Sequence, residues 1–428
     1  MRYVVTQKPD KTVAIIATLD TKGPEAAFVK TQIEAAGYAT LVLDTGILGS
    51  KDPSALAPDI SAEEIAREGG EEREALAARS SDKGIRDRGI RAMSKGSARI
   101  LSRLYEEGRF RSVLGLGGAQ GTEICTTAMR ALPLGVPKVM VSTVASGKTP
   151  FGIYVGTRDM TIMHSVVDIL GLNSLTRRIL ANAAGAVVGM AEAGFVEQES
   201  PQSKVGITIY GTTTPGGLAA KALLEARGYE VIAFHPNGTG GLAMEELATE
   251  GFLHGLLDFT THEVTDELFG GIHAGNPERL VASGRARVPR LFVPGSADFM
   301  TFAELEKVPE IYRGHAYVPH NPHITLVCAN ADQMAHLASA VAERLNKARG
   351  PVAVAIPTRG FSFYNREGLI FFDAKANQTY TETLSTKLRS DIPLYEFDTH
   401  INDPAFAAEI VPLFDALMKN VKIERVDQ

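Results

Sequence analysis

The chain has 428 residues, of which 44% are hydrophobic and 22% charged, with a net charge of −6. That length is too great for one common domain and suits two or three. The mild acidity and the lack of a sustained basic face speak against nucleic acid as a partner. The only two cysteines, Cys125 and Cys328, lie in apolar or small-residue sequence, which excludes a disulfide framework and fits a reducing compartment. No apolar run reaches about 18 residues, so neither a membrane span nor membrane association is expected, and the location expected is cytoplasmic.

Apolar runs at residues 13–18, 40–44, 112–117 and 138–143 predict the strands of a first parallel sheet. Continuous runs of this type suit strands covered on both faces. A polar segment from about residue 50 to 110 interrupts the series as a helical insertion, first acidic and then basic. In it, Ser61 followed by Glu64 predicts a capped helix start. An Ala/Gly-rich stretch at 181–195 reads as a buried or subunit-contacting helix. A polar, Pro-containing linker follows at 197–204. Further apolar runs at 205–211, 230–235, 255–260, 290–295, 324–330, 351–357 and 392–398 predict the strands of a second sheet.

Residues 13–49 recur, recognisably, at 205–241. Glu34-Ala35-Ala36-Gly37-Tyr38 matches Glu225-Ala226-Arg227-Gly228-Tyr229. Each copy reads as strand, Gly/Thr loop, amphipathic helix, strand and second Gly-rich loop. The fold class expected is therefore α/β: two Rossmann-like parallel-sheet domains related by an internal repeat, at 1–196 and 197–428. In such sheets ligands bind outside the carboxyl ends of the strands.

Three loops of the first domain end at that edge. In ATLDTKG (17–23), the helix start points backbone N–H groups at an anion, with Thr18, Thr21 and Gly23 around it. Lys22 adds the charge of a phosphate-binding lysine, and Asp20 is placed to hold a magnesium ion or to orient that lysine. The Walker A spacing is absent. In LGLGGAQGTEI (114–124), Gly117, Gly118, Gln120, Gly121 and Thr122 approximate a dinucleotide-type turn. In STVASGKTPFG (142–152), Thr143, Ala145, Ser146 and Gly147 add hydroxyls and backbone donors. Asp44, ending the second strand, stands where a ribose-binding acid would, or caps a turn.

The second domain keeps the glycines but carries Thr214 and His235 in place of Lys22 and Asp44. Histidines and acids end its strands, and His235, Glu263, His320 and His400 are the acid–base candidates. No histidine pair has a diagnostic metal spacing, and no nucleophile elbow is present.

LDTKG (19–23), GLGGAQGT (115–122), STVASG (142–147), YGTTTPG (210–216), FHPNGTGG (234–241) and His400-Ile401-Asn402-Asp403 together resemble the Tm-1-like ATP-binding family, also known as uncharacterised protein family 0261. The resemblance spans nearly the whole chain. It implies ATP bound in the first of two Rossmann-like subdomains, at the loops 18–23, 117–122 and 143–147, and it supplies no established reaction. The expectation is a homo-oligomeric, ATP-dependent enzyme, with magnesium. It would act on a small polar metabolite, a carboxylate among the candidates, bound between the two domains. The rival readings are an ATP-responsive regulatory protein without turnover, and a nucleotide-independent enzyme built on the second domain's histidines and acids.

Overall fold

A computed structural model describes residues 11–48, 56–78, 83–146, 152–193 and 201–420. Gly147, among the expected ligand-binding positions, lies outside them. The chain divides into two compact units on either side of residue 198.

The first unit is built on β1 (Thr12–Ala17), β2 (Ala39–Asp44), β3 (Ser112–Gly117), β4 (Lys138–Ser142) and β5 (Thr161–His164). All pair in parallel in the order β2-β1-β3-β4-β5. Alternation along β1 divides its side chains between two cores. Val13 and Ile15 face the helices Leu19–Ala35 and Ser174–Glu192, through Val29, Ile33, Ala183 and Val187. Ala14 and Ile16 face the helices Lys83–Glu106 and Ala119–Arg130, through Ile100, Leu101 and Cys125. Each fully buried Ile or Val contributes about 1.5–3 kcal/mol, which is why strands covered on both faces hold the centre. The described part of the Ala/Gly-rich stretch, 181–193, falls in and just after the helix Ser174–Glu192, which buries one face through Ala183, Ala184, Val187 and Ala191 and leaves the other exposed. No helix among the described residues is long and apolar enough to cross a membrane.

The insertion folds as the helices Ala62–Gly69, Arg73–Ala78 and Lys83–Glu106. Ser61 Oγ accepts the Glu64 N–H at 3.3 Å, the cap that the sequence predicts. The short edge strand β5 carries no strong apolar run and is not legible from the sequence.

The second unit contains β6 (Lys204–Thr208), β7 (Glu230–Phe234), β8 (Gly255–Thr260), β9 (Arg290–Gly295), β10 (Phe299–Phe302), β11 (Tyr317–Asn321), β12 (Ile324–Cys328), β13 (Val352–Pro357) and β14 (Leu394–Phe397). Six of these form a parallel sheet in the order β14-β13-β9-β8-β6-β7. Counted within its own unit, that order is 2-1-3-4-5-6, the first unit's order with one strand added. The run at 324–330, expected in the parallel sheet, instead supplies β12 to a separate antiparallel sheet, β10-β12-β11.

The repeat extends to backbone detail. Gly37 and Gly228 both adopt the left-handed conformation, at φ +81° and +88°. Tyr38 N–H bonds to Ile33 O and Tyr229 N–H to Leu224 O, each at 3.3 Å. This is one helix-terminating turn used twice, and its positive φ is why glycine stands at both positions.

Candidate functional site

In sheets of this order the strand connections reverse direction at the first strand, opening a crevice between the carboxyl ends of the first and third strands. In the first unit these are β1 and β3. A turn at Thr18 follows β1: Thr21 N–H and Lys22 N–H both bond to Thr18 O, at 3.1 and 2.8 Å. The Thr18 and Thr21 hydroxyls lie 3.1 Å apart. The backbone kinks at Lys22, just before Gly23 and Pro24, and space is open beside Gly23. Lys22 Nζ reaches the carbonyl of Ile169, beyond β5.

Asp20 and Asp44 shape the neighbouring loop. Asp20 Oδ2 accepts the Leu48 N–H at 2.9 Å. Asp44 Oδ1 accepts Leu19 N–H at 3.0 Å and Gly46 N–H at 2.8 Å, tying the end of β2 to the helix after β1. Burial pushes the Asp44 carboxyl up, opposed by those two N–H bonds.

At the end of β3, Gly118 stands at the N-cap of the helix Ala119–Arg130 and makes no side-chain cap bond. A Cβ on Gly117 would stand 2.8 Å from Gly121 Cα, so glycine lets the helix pass against the strand. Gln120 lies in the first turn. Thr122 Oγ1 and Ser142 Oγ are bonded at 2.7 Å and buried, fixing this helix to β4. Thr143 N–H bonds to Gly117 O at 3.3 Å, Ala145 follows in the turn, and Ser146 Oγ lies 3.2 Å from His164 Nε2. Thr18–Gly23 and Gly117–Thr122 therefore flank one switch point, and Thr143–Ser146 follow on the next strand. The arrangement offers N–H groups, hydroxyls and one ammonium, the donor set for an anion.

In the second unit the equivalent strands are β6 and β8. Threonines fix their ends: Thr212 Oγ1 bonds to Ser296 Oγ at 2.7 Å and Thr213 Oγ1 to Thr260 Oγ1 at 2.6 Å. Tyr210, just after β6, is the centre of an aromatic and histidine group. Its hydroxyl lies 2.9 Å from His273 Nδ1. His235 stacks on its ring, centroids 5.1 Å apart and 16° from parallel. His262 tilts against the same ring at 5.1 Å. Burial, then the charge of His262 and, more weakly, those of His235 and His320, push His273 down to about 4, against the pull of Asp266, so it is neutral at pH 7. Burial pushes the Tyr210 phenol up to about 12. A neutral imidazole bonded to a phenol can pass a proton in either direction.

Of the four acid–base candidates, His235 thus stacks on Tyr210, and His320 is near enough for its charge to bear weakly on His273. Both are exposed, His320 on β11. The structure places the other two in internal bonds. Glu263 Oε2 accepts Arg279 Nε at 2.8 Å, and its Oε1 accepts Gly238 N–H and Gly241 N–H, both at 3.1 Å. His400 is buried, with Nε2 2.9 Å from Ser362 O and Nδ1 accepting the Asn402 N–H at 3.2 Å. Sequence reasoning did not single out Tyr210, Asp266 or His273. One signal was available: His262 and Asp266 stand four residues apart at a helix start, on one face.

The fold defines a two-domain α/β protein with doubly wound parallel sheets, with polar side chains clustered at strand ends. The chain belongs to the Uncharacterised protein family (UPF0261): the profile of that family's N-terminal domain matches residues 11–195 and that of its C-terminal domain residues 202–418. A UPF0261 protein of Clostridium tetani is 39% identical over 401 residues, covering 93% of this chain and 96% of its own length. One from Rhizobium meliloti is 39% identical over 408 residues, covering 94% and 98%. The ToMV resistance protein Tm-1(GCR237) of Solanum lycopersicum is 36% identical over 338 residues, which are 77% of this chain and 44% of the tomato protein. A solved UDP-N-acetylglucosamine 2-epimerase aligns at 9% identity over 96% of this chain and 97% of its own, with a TM-score of 0.21, too low to say anything of function.

Proposed function

We propose that this protein binds ATP, with magnesium, at the carboxyl edge of the first unit's sheet, and that it uses the nucleotide in acting on a small polar metabolite, a carboxylate among the candidates, held by the second unit. The observation that carries the reading is that Thr18–Gly23 and Gly117–Thr122 end the two strands that flank the switch point. Each supplies a helix start, which favours phosphate. Lys22 is the cation of this set. Asp20 is the nearby carboxylate on which a magnesium ion would draw. In the second unit, Tyr210, His235, His273 and His320 are the groups for acid–base work. A cytoplasmic homo-oligomer fits the reading, supported by the exposed apolar side chains of Val166 and Leu170 beyond the edge strand β5.

The test is isothermal titration of the purified protein with ATP, with and without magnesium, with AMP and NAD as controls. Saturable ATP binding that weakens strongly in Lys22→Ala is expected. Unchanged affinity in that variant would remove Lys22 from the site, and no binding of any nucleotide would sink the reading.

A further inference from the structure

The helix His262–Phe269 begins directly after β8 and carries His262 and Asp266 on one face. It ends at Gly270, in the left-handed conformation at φ +78°. The chain then doubles back. A Cβ on Gly271 would meet Asp266 Cγ at 2.1 Å, so only glycine lets the backbone cross the carboxylate there. This reversal returns His273 to the start of the helix, where its N–H bonds to Asp266 Oδ2 at 2.9 Å. His262, Asp266 and His273 each bring one potential ligand atom to a common place, all within 4.8 Å of one another.

We propose that His262, Asp266 and His273 bind a divalent transition-metal ion of the zinc type at the carboxyl edge of the second unit's sheet. Three features of the geometry point to this. First, His262 Nε2 and Asp266 Oδ2 are 3.4 Å apart. The edge of a tetrahedron with metal–ligand bonds near 2.05 Å is about 3.3 Å. Second, the ligands are held from behind. His262 Nδ1 lies 3.0 Å from Ser296 O, so an Nδ1–H donated to that carbonyl makes Nε2 the acceptor; Nε2 lies 2.7 Å from Thr301 Oγ1, a bond that a metal ion would replace. Asp266 Oδ1 accepts the Thr301 N–H at 2.8 Å, which orients its second oxygen, and the Tyr210 hydroxyl holds the His273 ring. Third, the ligand set mixes burial with access: His262 and Asp266 are buried, whereas His273 is only partly so. Three protein ligands with a fourth position left open are the pattern of reactive zinc centres, and imidazole plus carboxylate suits zinc, cobalt or nickel better than magnesium or calcium. An open position there would take a carboxylate or hydroxyl oxygen of a small ligand. The inference does not depend on nucleotide binding in the first unit.

The test uses the full chain, stripped with chelator and titrated with Zn²⁺ by calorimetry, and with Co²⁺ followed by its visible absorption. One Zn²⁺ per chain and a cobalt spectrum of low coordination number are expected. His273→Ala should weaken Zn²⁺ binding by at least about tenfold, since even partners behind the ligands cost 10–100-fold when lost. His323→Ala, which changes an exposed histidine on another loop, should bind as the parent does. No zinc binding by the parent chain, or equal affinity in His273→Ala, would overturn the proposal. Asp266→Asn is a second ligand variant. Because Asp266 also anchors the Thr301 and His273 backbones, His273→Ala decides the matter if that variant misfolds.

Discussion

Arg279 donates its Nε to Glu263 Oε2 at 2.8 Å, with both side chains wholly excluded from solvent. The same guanidinium reaches Glu245 at 2.7 Å and Asp258 at 2.6 Å. Arg290 meets Asp258 again at 3.1 Å and Glu245 at 3.3 Å. Two cations and three carboxylates are thus locked beneath the β6–β8 edge. Glu263 in turn holds the Gly238 and Gly241 amides of the loop after β7, and the carboxylate whose sequence position suggests acid–base work positions that loop.

Arg279→Met would leave three buried carboxylates with one guanidinium between them. Removing one partner of a buried ion pair costs about 3–5 kcal/mol. Chemical denaturation should show a loss of at least that size. Glu263→Gln, which keeps an oxygen for the two loop amides, should cost less than Glu263→Ala.

Gly117 and Gly118 are adjacent but differ in the room around them. A Cβ on Gly117 falls 2.8 Å from the Gly121 backbone, whereas on Gly118 its nearest neighbour is Thr143 Oγ1 at 3.8 Å. Gly117→Ala should destabilise the protein by about 1–3 kcal/mol, the usual cost of overpacking. Gly118→Ala should change stability far less. Equal midpoints in a urea titration of the two variants would contradict this reading of the turn.

Asp298 is buried after β9, accepts the Ser362 hydroxyl at 2.7 Å and is left with one unpartnered oxygen. Burial raises its carboxyl from 3.8 to about 7, against the opposing Ser362 hydrogen bond. A raised folded-state value means that the fold binds this proton more tightly than the unfolded chain does. Its contribution to stability is present below the ordinary carboxyl value and is lost as pH rises through about 7. Asp298→Asn should remove that loss, and denaturation from pH 4 to pH 8 should show a flatter profile for D298N than for the parent.

Burial pushes the thiols of Cys125 and Cys328 up to about 12. The thiolate is the reactive form. Neither cysteine should react with a thiol reagent at pH 8 in the native protein, and both should react at once in denaturant. Rapid native modification of either would contradict the placement.

The sequence alone determined the two α/β domains, their repeated strand–helix–strand unit and the Ser61 cap. These are local properties: apolar runs and capping residues act over a few neighbours. It also placed Thr18–Gly23 and Gly117–Thr122 at strand ends, since each follows a legible strand. Only the tertiary structure decided that Lys22 reaches Ile169, that Glu263 and His400 are held in buried bonds, and that Asp266 and His273 join His262 at one point. It also moved the 324–330 run out of the parallel sheet. A side chain's partner across a sheet edge depends on strand order and on how the chain turns back. No spacing between Glu245, Asp258, Glu263 and Arg279 announces that they share one buried charge network.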